Sequence, residues 1–209
     1  LPFELDVTDA LIPDDLNRLE VLVAENQKLD WLYLYPPGSW YAWNNLGIWQ
    51  DVEIYSEPAA HIEDIFAKPS VREKCLNSEI LIVNESDQPY PYLLKSSVRE
   101  KDSIVKRFPE QEGIIPPHSR QKVEINLPWK NPHLWSPETP QLYYLDAQLL
   151  HRKKDKSPGI ESDRKTIRFG FREFWIEGRS FYLNGMPVKL KVDGWHYMGP
   201  AQQNKEYAR

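Results

Sequence analysis

Cysteine is all but missing from the 209 residues: Cys75 stands alone, so no internal disulfide can form and the cysteine pair that braces secreted immunoglobulin domains is absent. Long apolar runs are missing as well, none approaching the roughly 20 residues that cross a bilayer, which argues against a membrane partner. No extended basic run exists. Lys plus Arg number 26 against 31 Asp plus Glu, a formal charge of -5, which argues against a nucleic-acid partner. The densest basic stretch, Arg152-Lys153-Lys154-Asp155-Lys156, runs into Ser157-Pro158-Gly159 and reads as a solvated hairpin tip. Glycine is scarce. Eighteen prolines outnumber nine glycines, and eight tryptophans accompany eleven tyrosines, a composition of short strands joined by stiff turns rather than of a helix bundle. Leu1-Pro2-Phe3-Glu4 does not read as a secretory leader, and a chain that starts in mid-strand reads as truncated. The compartment therefore stays open between periplasm, exterior and cytoplasm.

What is present is a period of two. Phe3, Leu5 and Val7 alternate with polar residues and predict a strand, as do Leu19, Val21 and Val23 after a turn at Pro13-Asp14-Asp15, and Val52 with Ile54 after an aromatic stretch. Ser56-Glu57-Pro58 breaks the pattern and marks a domain boundary. Seven strands follow, at 62–67, 75–84, 92–99, 103–108, 121–127, 142–151 and 165–172. Val123, Ile125 and Leu127 in one, and Tyr143, Leu145, Ala147 and Leu149 in another, alternate cleanly. Seven short strands with turns between them predict an all-β fold, an immunoglobulin-like sandwich over 57–172. Three apolar runs, at 174–176, 181–183 and 188–190, then flank Glu177-Gly178-Arg179 and Asn184-Gly185, and Asn-Gly between such runs predicts a hairpin. From Met198 onward the chain is polar. No internal repeat or low-complexity segment occurs.

Three motifs stand in fixed order: Gly47-Ile48-Trp49-Gln50-Asp51-Val52; the stretch from Leu134-Trp135-Ser136-Pro137 through Pro140 to Tyr143; and Phe169-Gly170-Phe171-Arg172-Glu173 leading into Phe181-Tyr182-Leu183-Asn184-Gly185. Their order and spacing resemble the non-catalytic front half of glycoside hydrolase family 2. The resemblance, which takes in the opening Pro2-Phe3-Glu4-Leu5-Asp6-Val7-Thr8, implies residues 1–56 as the closing part of a jelly-roll sugar-binding-like domain. It implies 57–172 as the sandwich and 173–209 as a hairpin with the start of a (β/α)₈ barrel. The parent it implies hydrolyses glycosidic bonds of carbohydrates and needs no cofactor. Its partners would be carbohydrate and the rest of the glycosidase chain, with oligomerisation left open.

Retaining hydrolysis needs two carboxylates about 5–5.5 Å apart on rigid supports, and no catalytic residue is assigned here. Asn84-Glu85 matches the family's acid/base dipeptide only superficially, since Glu85 ends an early sandwich strand and precedes the turn Ser86-Asp87-Gln88-Pro89. Asn84-Glu85-Ser86 is also a glycosylation sequon. The acidic clusters Asp14-Asp15, Glu63-Asp64, Glu110 with Glu112, and Glu161 with Asp163 read as solvated loop charge. Dispersed histidines and the single Cys75 predict no metal site. Trp135 is expected to cap one end of the sandwich core, and Pro137 and Pro140 to hold an extended edge leading to the strand near Leu142.

Two places carry substrate-binding expectations. Trp31, Tyr33 and Tyr35 alternate onto one strand face, followed by Trp40, Tyr41 and Trp43, so Trp31, Trp40 and Trp43 form a candidate sugar platform. Core packing, or packing against an absent barrel, is the structural alternative. Tyr41 stands where the resemblance to large β-galactosidases would place an aspartate. His196, in Lys189-Leu190-Lys191-Val192-Asp193-Gly194-Trp195-His196, matches a substrate-side histidine of the family's first barrel strand, although Val192-Asp193-Gly194 departs from the family's Gly-Val-Asn. The expectation is an accessory and scaffolding region, inactive alone. A free-standing carbohydrate-binding module or a protein-interaction sandwich are the alternatives.

Overall fold

In a computed structural model, the structure describes residues 4–22, 48, 51–152 and 159–190. The chain divides into two units, Leu1–Tyr55 and Ser56–Arg209.

In the first unit the described residues form one 3₁₀ turn, Thr8–Ala10, entered where Asp6 Oδ1 accepts the Thr8 N–H at 2.9 Å. The turn predicted at Pro13-Asp14-Asp15 is present. Asp14 takes φ 60, and Asn17 closes the loop by accepting the Ile12 N–H at 2.8 Å and donating to the Ile12 carbonyl at 2.9 Å. The strands expected around Leu5, Leu19 and Val52 do not form among the described residues. Leu22 and Ile54 are 91% and 80% exposed. Alternation marks a face that can be buried, but a strand also needs a ladder partner, and no described segment pairs with these. The tip at 153–158 lies outside the described residues.

The second unit is a β-sandwich. One sheet runs β1 (Ala60–Ser70), β2 (Cys75–Asn84), β6 (Ser119–Pro128). The other is centred on β3 (Tyr90–Glu100), flanked by β7 (Tyr143–His151) and then β8 (Glu161–Phe169). On its far side β4 (Ser103–Arg107) and β5 (Gln111–Ile115) pair with successive halves of β3. The pairings between these strands are antiparallel, and the jumps β2 to β6 and β3 to β7 give the crossed-over topology of an immunoglobulin-like sandwich. β5 is an eighth strand where seven were expected, and its Gly113 has a reason. A Cβ there would come within 2.9 Å of the Tyr92 ring opposite.

Inward residues of both sheets share one core from Ile62 to Phe171, each fully buried Leu, Ile or Val contributing about 1.5–3 kcal/mol. An aromatic cluster fills one end. Trp129 meets Tyr143 edge-on at 5.1 Å and Phe171 at 5.0 Å, while Tyr143 stacks on Phe169 at 5.7 Å. Tyr143, at the start of β7, accepts the His133 N–H with its phenol oxygen at 2.8 Å, the corner bond that immunoglobulin-like folds use to brace a crossover. The tryptophan inside the core is thus Trp129, not Trp135.

Polar groups lock the sandwich at two further points. Glu63 is the extra residue of a bulge between Ile62 and Asp64, which leaves backbone groups without ladder partners. β8 supplies them: Asp163 Oδ2 accepts the Ile62 N–H at 2.7 Å and Lys165 Nζ donates to the Glu63 carbonyl at 2.6 Å. Asp163 is therefore not loose charge. Asn84, fully buried, donates to the carbonyls of Gln88, Ile115 and Pro116 and accepts from Ser86. Its amide is occupied, so the sequon offers no free acceptor in the folded chain.

After β8 comes a three-stranded meander: β9 (Phe174–Glu177), β10 (Ser180–Leu183) and β11 (Met186–Val188). Gly178 at φ +59 opens the first two-residue turn, and Asn184 and Gly185, at φ 53 and +87, form the second, as hairpins with Gly-X and Asn-Gly loops require. β11 begins two residues before the predicted apolar run because Met186 pairs with Leu183 directly across that tight turn.

Candidate functional site at the sandwich seam

Two of the three sequence motifs converge where the sandwich passes into the meander. β8 ends at Phe169. Gly170 follows because a Cβ there would lie 3.0–3.1 Å from Trp135, and Phe171 then pairs in parallel with Leu134, taking the Trp135 N–H on its carbonyl at 2.9 Å. Trp135 is half-buried beneath the Arg172 guanidinium, 4.9 Å from the ring centre. It covers the seam rather than capping the core. The stretch through Pro137 and Pro140 is not an extended edge. Ser136 and Thr139 close it into a bend, with the Ser136 N–H on the Thr139 carbonyl and the Thr139 N–H on Ser136 Oγ, both at 3.0 Å.

Asn184 ties the meander to this segment. Its Oδ1 accepts the Glu173 N–H at 2.9 Å, its Nδ2 donates to the Trp135 carbonyl at 2.8 Å, and its own N–H bonds the Glu173 carbonyl at 2.9 Å. One turn residue therefore bridges two motifs. Asparagine suits the position because it tolerates the left-handed conformation and offers both a donor and an acceptor.

Glu173 fastens the other side. Its carboxylate accepts the N–H groups of Val71 and Arg72 at 2.8 and 2.9 Å, and the Arg72 guanidinium at 2.6 Å. Those donors belong to the turn between β1 and β2. The side chain is 15% exposed. Burial pushes its pKa up, but the Arg72 N–H, the Arg72 guanidinium and the Val71 N–H together outweigh burial and hold it below the usual glutamate range. Arg72 also lies 4.7 Å over the Trp175 ring, and Trp175 stacks on Tyr182 at 5.6 Å. A guanidinium sandwiched between carboxylate and indole is well placed for both.

Among the described residues the other carboxylates do structural work or meet solvent. Asp146 is gripped by Arg99 through two bonds, at 2.5 and 3.0 Å, and by Thr166 at 2.7 Å. Burial raises its pKa, yet these bonds win and hold it below the usual aspartate range. Glu85 is exposed and bonds the Ala59 carbonyl only through its N–H. Glu112 pairs with Arg152, Glu110 with Lys95, Glu161 with Arg164 and Glu63 with Arg120. No group of three metal-ligating side chains occurs among the described residues. Trp31, Trp40, Trp43 and His196 lie outside the described residues, as do Gly47 and Trp49 of the first motif, while Ile48 is exposed. Sequence reasoning missed Arg72 and Asn184 as seam residues. Asn184 had a signal in its Asn-Gly turn; Arg72 had none.

A β-galactosidase of Clostridium acetobutylicum is 29% identical over 194 residues, covering 91% of this chain and 19% of the relative. One from Vibrio vulnificus is 27% identical, covering 96% and 19%. The chain thus spans about a fifth of the length of these relatives. Among solved structures, a β-glucuronidase of Bacteroides uniformis superposes with a TM-score of 0.54 at 24% identity, over 64% of this chain and 17% of that one. A β-galacturonidase of Eisenbergiella tayi gives 0.54 at 23%, over 65% and 22%, a likeness of fold. The sequence model of the glycosyl hydrolases family 2 matches residues 60–172, more than half of the chain, which therefore belongs to that family.

Proposed function

We propose that the chain is the non-catalytic scaffolding region of a retaining family 2 β-glycosidase whose full-length form hydrolyses O-glycosidic bonds in carbohydrates. Residues 1–56 close a jelly-roll domain, 57–172 form the sandwich, and 173–209 supply a hairpin and the start of the catalytic barrel. The observation that carries this reading is the seam. Glu173 and Asn184 fix the meander onto the sandwich through charged and backbone bonds, which suits a mount for the chain that follows. The meander's outer surface supports it. Cross-strand partners share a face, so the register places Phe174, Leu183 and Met186 in one row and Ile176, Phe181 and Val188 in the next. All six are apolar, and Ile176 and Met186 are 65% and 69% exposed, a surface suited to burial by further protein. Carbohydrate and the remainder of the glycosidase chain are the partners this implies.

The test is turnover. The purified 209-residue chain, offered a panel of nitrophenyl β-glycosides including galactoside, glucuronide and mannoside, is expected to release no nitrophenol above background. Release that disappears in Glu85→Gln would refute the proposal.

A further inference from the structure

We propose that His61 is a proton-operated latch, holding residues 56–59 against the outer face of the three-stranded sheet while its imidazole is doubly protonated and letting them go when it is neutral. His61 is the second residue of β1 and pairs with Val83 of β2. Ile62 beside it faces the core, so strand alternation directs His61 to the opposite face. The ring is nevertheless only 7% exposed, with Glu57 and Pro58 in contact with its two nitrogens.

The two ring nitrogens meet two oxygens. Nδ1 lies 2.9 Å from the Pro58 carbonyl oxygen and Nε2 lies 3.1 Å from Glu57 Oε2. Both oxygens only accept. A neutral imidazole has one N–H, so one of the two contacts would set a lone pair against an oxygen. The imidazolium donates at both. The protonated ring therefore holds the segment at both ends and the neutral ring at only one, so the hold weakens when the ring gives up its proton.

Among the described residues, few other charges face this ring. Val83 of β2 is apolar. Arg120 of β6 occupies the same cross-strand row and is paired with Glu63 of β1 at 3.1 Å. From β8, Asp163 and Lys165 are committed to the backbone of Ile62 and Glu63. Glu85, just past β2, gives its N–H to the Ala59 carbonyl at 2.7 Å. Among the described residues, Glu57 is thus the anion left to the imidazolium. The Glu85 amide reports whether the segment stays down.

The experiment is amide exchange and ring-nitrogen NMR on the full 209-residue chain across about pH 5 to 9, in wild type and in Glu57→Gln. Glu57 is on the surface side of the contact, so the variant is expected to fold. A glutamine amide can accept from one protonation state and donate to the other, which uncouples the latch from the proton. Wild type should show both His61 nitrogens protonated at the acid end. Its Glu85 protection, corrected for intrinsic exchange, should fall about tenfold from the acid end to the alkaline end, as loss of one charge-assisted bond implies. That step should vanish in Glu57→Gln. A Glu85 amide equally protected at both ends in wild type, or an unchanged step in the variant, overturns the latch.

Discussion

Glu173 joins the meander turn at Asn184 to the turn near position 72, a hundred residues earlier. Its carboxylate satisfies two backbone N–H groups and a guanidinium near position 72, while its own peptide groups hold Asn184. Glu173→Gln keeps an acceptor but drops the charge, and should cost about 1–2 kcal/mol; Glu173→Ala strands Arg72 and both N–H groups and should cost about 3 kcal/mol. Urea unfolding of the three proteins at neutral pH measures both, and equal midpoints would contradict the seam's importance. The pH dependence has a definite sign. The folded carboxylate's pKa is lowered, so its contribution is complete above the ordinary glutamate value of about 4.3 and is lost as pH falls through the folded value. The gap between wild type and Glu173→Gln should accordingly narrow as pH falls below about 4.3 and close only below the folded carboxylate's lowered pKa. The sequence displayed Glu173 inside a motif but not its job, because its donors sit a hundred residues away and no local pattern points to them.

The meander shows the same division at the level of elements. Its hairpins were legible because turn chemistry is local: Asn184-Gly185 needs positive φ at both positions and few other pairs supply it. The sandwich strands were legible because β6 and β7 alternate strictly over a single buried face. β5 was not, since Gln111-Glu112-Gly113 gives no apolar period and only pairing with β3 makes it a strand. The opposite error arose near Leu5, Leu19 and Val52, where the period exists and the described structure gives it no partner. Two substitutions separate the turn's roles. Gly185→Val forces a branched residue to φ +87 and should cost about 1–2 kcal/mol through strain. Asn184→Ala should cost about 2 kcal/mol through two lost side-chain bonds, one of them leaving the Trp135 carbonyl unpaired. Hydrogen exchange distinguishes them from a general loss of stability: amides of β9 to β11 should open in both variants while those of β7 keep their protection.

For the whole molecule, the decisive fact is where the core lies. Every residue of the buried cluster falls between Ile62 and Phe171, and the sandwich closes its own irregularities, with Asp163 and Lys165 on the bulge and Tyr143 on the crossover. The described residues of Leu1–Tyr55, by contrast, contribute nothing to that cluster. A compact unit with its own buried core can in principle fold alone, so the second unit should hold its stability by itself. Deleting residues 1–55 should leave the unfolding free energy of the sandwich within about 1 kcal/mol of its value in the full chain. The transition should also stay cooperative, as expected for a single core of this size. Paired urea titrations followed by circular dichroism and by protection of the β7 amides provide the measurement. A loss of several kcal/mol, or a broadened transition, would show that residues 1–55 stabilise the sandwich through contacts outside the buried cluster.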